Sequence, residues 1–306
     1  MGFEPIKILY AFLTVIIVLN IGLVLQGVTR KIAARVGGRY GIRWYQPYID
    51  LVKNYSIRTS VHHGVMFWLG PVFRLAGGMG VLIFIPAIYG SEMFSNFSFA
   101  GDMMLVLYFI FFGTLGMALG AGESGHPYSA IGVSRGLAQV TAAEIPMLVA
   151  IMATAIQYHS LSVTDIVAAQ QGGFAAWTAV TNPVLGILAV IAYLGSMMRS
   201  PFDVVLAPQE IPIGPPTEFH GTFLALLQTN RNIFPVAKTI LFVNLFFGGA
   251  TNWPMMILKA FLLYMTSVIV GSVMARFRVD QSIRWFYKYG LPLGLITLLV
   301  TILMFK

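Results

Sequence analysis

The run IKILYAFLTVIIVLNIGLVL at Ile6–Leu25 carries a single charge, Lys7. A hydrocarbon layer about 30 Å thick takes about 20 mostly apolar residues in a helix, so the run reads as one bilayer crossing. It is too long for the apolar core of a cleaved signal and lacks a basic segment ahead of it, and is expected to stay as the first helix. Working outward, seven more segments have or approach this character: Phe67–Tyr89, Met103–Ala121, Ala138–Tyr158, Ala179–Met198, Phe234–Thr251, Met255–Ala275 and Trp285–Phe305. The fifth span is broken by Asn182-Pro183, and the sixth is short and carries Asn244. Composition agrees, with 58% apolar and 10% charged residues in a chain of 306, against about 45–50% and about 25% in soluble domains. The 19 Lys+Arg and 11 Asp+Glu are too few to coat a soluble core, which excludes a soluble enzyme and a nucleic-acid reader. The expectation is an all-α integral membrane protein, one multi-pass domain over 1–306, with eight transmembrane helices and an amphipathic, Pro-rich cytoplasmic loop. Cysteine is absent, so the chain supplies no thiolate for an iron–sulfur cluster and no disulfide.

Charge along the loops sets the orientation. The segment Gln26–Met66 holds Arg30, Lys31, Arg35, Arg39, Arg43, Lys53 and Arg58 against Asp50 alone. Arg135, Arg199, Arg231, Arg276, Arg278, Arg284 and Lys288 fall on the same side, and Arg74 and Lys238 are read at nearby helix ends. The positive-inside rule makes this side cytoplasmic. Lys7, Lys259 and Lys306 share the other side with Glu4, Glu92, Asp102 and Asp165, and both termini are expected outside the cell membrane.

Three constellations stand out. Glu144 lies about six residues into the fourth expected span, and an acid inside a membrane segment marks a function by default. Pro146 withdraws the helical donor from the Ala142 carbonyl, which favours a kink and a water near Glu144; a protonated Glu144 bonding between helices is the structural alternative. The stretch Arg199–Gly221 carries Asp203, Glu210, Glu218 and His220 among Pro201, Pro208, Pro212, Pro215 and Pro216. Its apolar Val204, Val205, Leu206, Ile211 and Ile213 call for cover by protein, and its acids either have shifted protonation or cap helices and pair with Arg199 and Arg231. The first loop interleaves its basic residues with Tyr40, Trp44, Tyr45, Tyr48 and Tyr55, as an aromatic belt does or as a bed for an acidic partner does. His62-His63 are adjacent and cannot face one metal from one helix face. Gly113, Gly116, Gly120 and Gly122 form a small-residue stripe for close helix packing.

Four long stretches carry a family resemblance: RKIAARVGGRYGIRWYQPYIDLVK (Arg30–Lys53), GESGHPYSAIGVSRGLAQVTAAEIP (Gly122–Pro146), RSPFDVVLAPQEIPIGPPTEFHG (Arg199–Gly221) and ARFRVDQSIRWFYKYGLPLGL (Ala275–Leu295). Together they are similar to the membrane subunit that links the two arms of respiratory complex I (its subunit 1) and of the group 4 membrane-bound nickel–iron hydrogenases. The runs at 123–132 and 214–221 resemble the hydrogenase branch, including its sulfur-reducing cousins. Where that family has a Glu five residues before the Pro-Phe-Asp, this chain has Ser196. Where the family has further acids after that Asp, this chain has Leu206, Pro208 and Ile213.

The resemblance implies a subunit that does no redox chemistry itself and binds no cofactor. Iron–sulfur clusters and a nickel–iron or related centre would sit on hydrogenase-like large and small subunits, with antiporter-like membrane subunits alongside. It implies ferredoxin-linked electron transfer coupled to H⁺ or Na⁺ movement through Glu144, Asp203, Glu210, Glu218, Glu123 and His220. The soluble arm would be seated on Arg30, Arg35, Arg39, Arg43, Gln46, Asp50, Arg135 and Arg199. A quinone-site subunit of a complex I-type NADH dehydrogenase and a stand-alone ion-coupled transporter are the alternatives. The second would be expected to show paired repeats with interrupted helices, and no second copy of the TAAEIP break is present.

Overall fold

The structure is a computed structural model that describes residues 5–59, 61, 63–205 and 214–305. Every regular element among them is helical: α1 Pro5–Val36, α2 Gln46–Ser56, α3 Val65–Phe84, α4 Asp102–Glu123, α5 Pro127–Tyr158, α6 Val163–Ala169, α7 Thr178–Thr181, α8 Pro183–Ser196, α9 Gly221–Phe246, α10 Trp253–Val273, α11 Val279–Trp285 and α12 Leu291–Met304. A π turn at Phe286–Gly290 joins the last two. A helix satisfies its own backbone groups, which hydrocarbon demands.

Six helical segments among the described residues are long and apolar enough to cross a membrane: Ile6–Val36, α3, α4, α5, α10 and Val279–Met304. The two remaining expected spans differ for separate reasons. Asn182 breaks the fifth into α7 and the 14-residue α8, where its side chain accepts from Leu185 N at 3.2 Å as an N-cap and donates to Thr301 Oγ1 at 2.9 Å. Helix α9 is long, but it runs through the middle of the bundle against α1, α2, α3, α8 and α10. From Ile233 to Phe246 only Pro235 is not fully buried. A helix walled in by protein has no need of an apolar exterior, so its hydropathy falls.

Several boundaries also move. Helix α1 continues past Leu25 to Val36, α2 forms inside the expected first loop, and α5 begins at Pro127, eleven residues earlier than Ala138. Pro127 fits the first helical turn, where its missing N–H costs nothing, and His126 caps it by accepting from Tyr128 N at 3.2 Å. Glu144 therefore lies near the middle of a 32-residue helix and not six residues from its end. Likewise α9 starts at Gly221, inside what reads as a loop to Ile233.

Helices α3 and α4 form the closest seam. A Cβ on Gly70 would lie 2.7 Å from Gly120 Cα, and one on Gly77 would strike Gly113 Cα. Gly116 packs on Phe73, whereas Gly122 has nothing within reach and stands outside the stripe. Away from the long loops, Gln170 ties the ends of α6, α7 and α9: its amide donates to the carbonyls of Ile166, Asn244 and Leu245, and its oxygen accepts from Thr178 N and Gly248 N. On the long-loop face α2 is held to α9 by Asn54 to Gln228 at 2.7 Å and Tyr55 to Thr229 at 3.0 Å.

Candidate functional site

Prolines sit inside α3, α5 and α9, at Pro71, Pro146 and Pro235, and each has an ionisable residue two or three positions away: Arg74, Glu144 and Lys238. Missing proline N–H groups loosen the helices there. Arg74 and Lys238 meet at Phe234 inside the bundle, and the buried Glu144 acts electrostatically on Lys238. Phe234 takes the Arg74 guanidinium at 5.1 Å from its ring centroid and the Lys238 ammonium at 4.3 Å, a cation–π arrangement favoured where water is scarce. Arg74 Nε donates to the Asn230 carbonyl oxygen at 3.2 Å, the Asn230 amide donates to the Arg74 carbonyl at 3.1 Å, and Arg74 Nη1 donates to Thr114 at 3.3 Å. Lys238 Nζ donates to the Ser196 carbonyl at 2.9 Å. Glu144, 7% exposed, interacts electrostatically with Lys238, which is 5% exposed. Above this cluster the Tyr193 and Thr239 hydroxyls bond at 2.9 Å.

The mid-helix positions of Arg74 and Lys238 correct their reading as helix-end residues on the cytoplasmic side. The sequence does carry a signal for both: Pro71-x-x-Arg74 and Pro235-x-x-Lys238 share one spacing inside otherwise apolar runs.

Toward the long-loop face the expected acids fall into separate groups. Glu218 lies 3.9 Å from both His63 Nε2 and His126 Nε2, which joins the end of the first loop, the α4–α5 turn and the Pro-rich stretch. Beside it Glu123 accepts from Phe67 N, at the start of α3. Phe67 stacks on Phe219 at 4.5 Å and meets Phe223 edge-on. The expected path does not include these two histidines. Asp203 pairs with Arg276 at 3.3 Å and also interacts electrostatically with Arg231. Phe202, packed against Phe277, Trp285 and Phe286, and the buried Val204 show that the chain's own helices cover this part of the loop. His220 is exposed just ahead of α9 and makes no cap. Glu210, His62, Leu206, Pro208, Ile211 and Ile213 lie outside the described residues. No group of three or more His, Asp or Glu positioned for a metal occurs among the described residues.

Of the residues expected to seat a soluble arm, Arg30, Arg35, Arg39 and Arg43 are exposed at the end of α1 and just beyond it. Arg35 lies over the Tyr40 ring at 4.7 Å, and Arg43 donates to the Tyr45 hydroxyl at 2.7 Å. Gln46 donates to Asp50 one turn on along α2, at 2.9 Å. Arg135 is partly covered on α5. Arg199 is turned inward, bonded to the Tyr264 hydroxyl with its guanidinium 4.4 Å above that ring.

A helical membrane protein with charged residues buried along its central helices, beneath a basic, aromatic loop face, is the class these features define. The chain belongs to the NADH dehydrogenase subunit 1 family, whose profile, described as NADH dehydrogenase, matches residues 8–302. A subunit of the NADH-quinone oxidoreductase of Rubrobacter xylanophilus is 28% identical over 324 aligned positions, 97% of this chain and 96% of that one. The corresponding NADH-quinone oxidoreductase subunit of Protochlamydia amoebophila is 27% identical, over 86% of this chain and 84% of its own. A chain of the membrane-bound sulfane sulfur reductase, an archaeal respiratory membrane complex, superimposes with a TM-score of 0.89 at 28% identity, covering 96% of this chain and 99% of that chain.

Proposed function

We propose that this chain is the membrane subunit that anchors the soluble, hydrogenase-like arm of a ferredoxin-linked oxidoreductase and couples its electron transfer to ion movement. The observation that carries the reading is the presence of Glu144, Lys238 and Arg74 along helices inside the bundle, three ionisable residues in a place where charge is costly without a task. The exposed arginines from Arg30 to Arg43 offer the arm a basic seat, and likeness to a chain of a sulfur-reducing respiratory complex supports this branch. In this reading α7–α8 and α9 complete eight crossings, the long-loop face is cytoplasmic, and both termini lie outside the cell membrane. Redox centres belong to the large and small soluble subunits, and antiporter-like subunits flank this one.

Glu144→Gln in the native assembly tests the coupling. Gln keeps the shape and hydrogen-bonding capacity but cannot ionise. The expected result is a complex that assembles and transfers electrons in detergent yet builds no ion gradient in sealed vesicles. A gradient at the native ratio of ions to electrons overturns the coupling role. A second reading, a quinone-site subunit, is favoured by the names of the sequence relatives; identification of the companion subunits of the purified assembly decides between the two.

A further inference from the structure

Between α1 and α10 the surface opens into a groove of about 560 Å³, lined almost wholly by apolar side chains: Val24, Leu25 and Val28 of α1 with Ile257, Leu258 and Phe261 of α10. Its volume lies in the range of small-molecule sites, about 300–1,000 Å³. Leu258 is 53% exposed, so the groove faces outward from the bundle. Helix register decides what stands at its end. Val24, Val28, Lys31 and Arg35 follow at spacings of four, three and four, which keeps them on one face of α1. Side chains on a helix lean toward its N-terminus, so Lys31 and Arg35 tilt back toward the groove. Along the axis Lys31 lies about 4.5 Å beyond Val28, and Arg35 about 10 Å. Both are exposed. This end of the groove is at the membrane surface: the apolar run of α1 stops at Leu25, and the Trp44 backbone packs on Gly27, where a Cβ would strike its carbonyl. Trp44 and Tyr40 are exposed at this level, as aromatic residues are in the headgroup layer.

We propose that the groove binds a phospholipid of net negative charge from the leaflet on the long-loop side, with one acyl chain between α1 and α10 and the phosphate held by Lys31, Arg35 standing one turn further on. Charge complementarity selects such a lipid, because the segment from Arg30 to Arg58 sets seven basic residues against Asp50 alone. Lys31 keeps its stem along the apolar wall and its ammonium at the surface. A neighbouring membrane helix is the poorer occupant. Helices meet where small residues let their backbones approach, as along the α3–α4 seam, whereas the lining here is branched and aromatic. A flexible chain fits between such side chains.

Photolabelling of the native complex in vesicles tests this. The probe is phosphatidylglycerol with a diazirine on one acyl chain, compared with phosphatidylcholine carrying the same chain, and labelled peptides are identified by mass spectrometry. Label is expected at 24–28 and 257–261, at least fivefold stronger with phosphatidylglycerol, the scale of one basic residue at a membrane surface. Lys31→Gln, a change at an exposed position outside the arginines offered to the soluble arm, is expected to lower that label about fivefold. Leu258→Trp, which fills the groove from its exposed side, is expected to remove it with either lipid. Equal labelling by the two lipids makes the groove ordinary lipid-facing surface. Undiminished label in Lys31→Gln removes the headgroup contact, label that survives Leu258→Trp places the chain elsewhere, and no label in the native complex means that another subunit covers the groove. Each of these overturns the proposal.

Discussion

Helices α9 and α12 cross the same bundle and obey opposite rules. On α9 nearly every residue from Ile233 onward is buried, and polar Asn230, Asn232, Lys238, Thr239 and Asn244 share that interior with Phe242, Val243 and Phe246. On α12 the large apolar residues Leu295, Ile296, Leu299 and Leu303 face outward, and the buried positions are Gly294, Thr297 and Thr301. Lipid is as apolar as leucine, so nothing drives an α12 leucine inward, and contact between helices falls to small residues and hydroxyls. Helix α9 never meets lipid around its centre. Amide groups donate to backbone there, Asn244 to the Pro86 carbonyl at 2.7 Å and Asn232 to the Gln228 carbonyl at 2.8 Å. In this protein stability resides in close backbone approach and polar pairing at the centre, and apolar area at the rim contributes little.

Substitutions can break that contrast. The largest effect is expected from Gly77→Leu, which drives a side chain into Gly113 across the α3–α4 seam and costs about 3 kcal/mol or more; recovery of monodisperse protein in detergent should collapse, while Gly122→Ala, at a position with open space, leaves it unchanged. Gln170→Ala comes next. It strands the carbonyls and amides that the side chain joins, at about 3 kcal/mol, and should lower the thermal midpoint clearly although the residue is small and uncharged. A weaker effect is expected for Arg276→Gln, which deprives Asp203 of a partly exposed partner: about 1 kcal/mol, with faster hydrogen exchange confined to 199–205. Leu299→Ala should sit at the bottom, within about 0.5 kcal/mol, because lipid covers either side chain. A large loss at Leu299, or a silent Gln170 variant, would dissolve the distinction between centre and rim.

The outer helices are legible in the sequence because their exposed faces are read directly as hydropathy. Six of the eight expected spans meet that criterion, and the two that fall short are those marked by Asn182-Pro183 and Asn244. The candidate site is legible in part. Glu144 stands out as an acid in an apolar run, and Asp203 and Glu218 as acids in a Pro-rich stretch. Their partners do not, since Arg276 is 73 positions from Asp203, and His63 and His126 reach Glu218 from two other segments. Arg74 and Lys238 read as helix-end residues because basic residues so often mark the cytoplasmic boundary, a rule that has no access to what lies beside them.

Composition and the length of apolar runs by themselves determined that this chain is helical and lives in a bilayer, because each crossing must satisfy its own backbone over a fixed thickness. Four long motifs placed it in its family. Only the tertiary structure decided which helix is central, and with it which charges are buried: a lysine on α9 is tolerated solely because α5 and α8 bring an acid and a carbonyl to it beside the ring of Phe234, and no local pattern encodes which distant helices will be its neighbours.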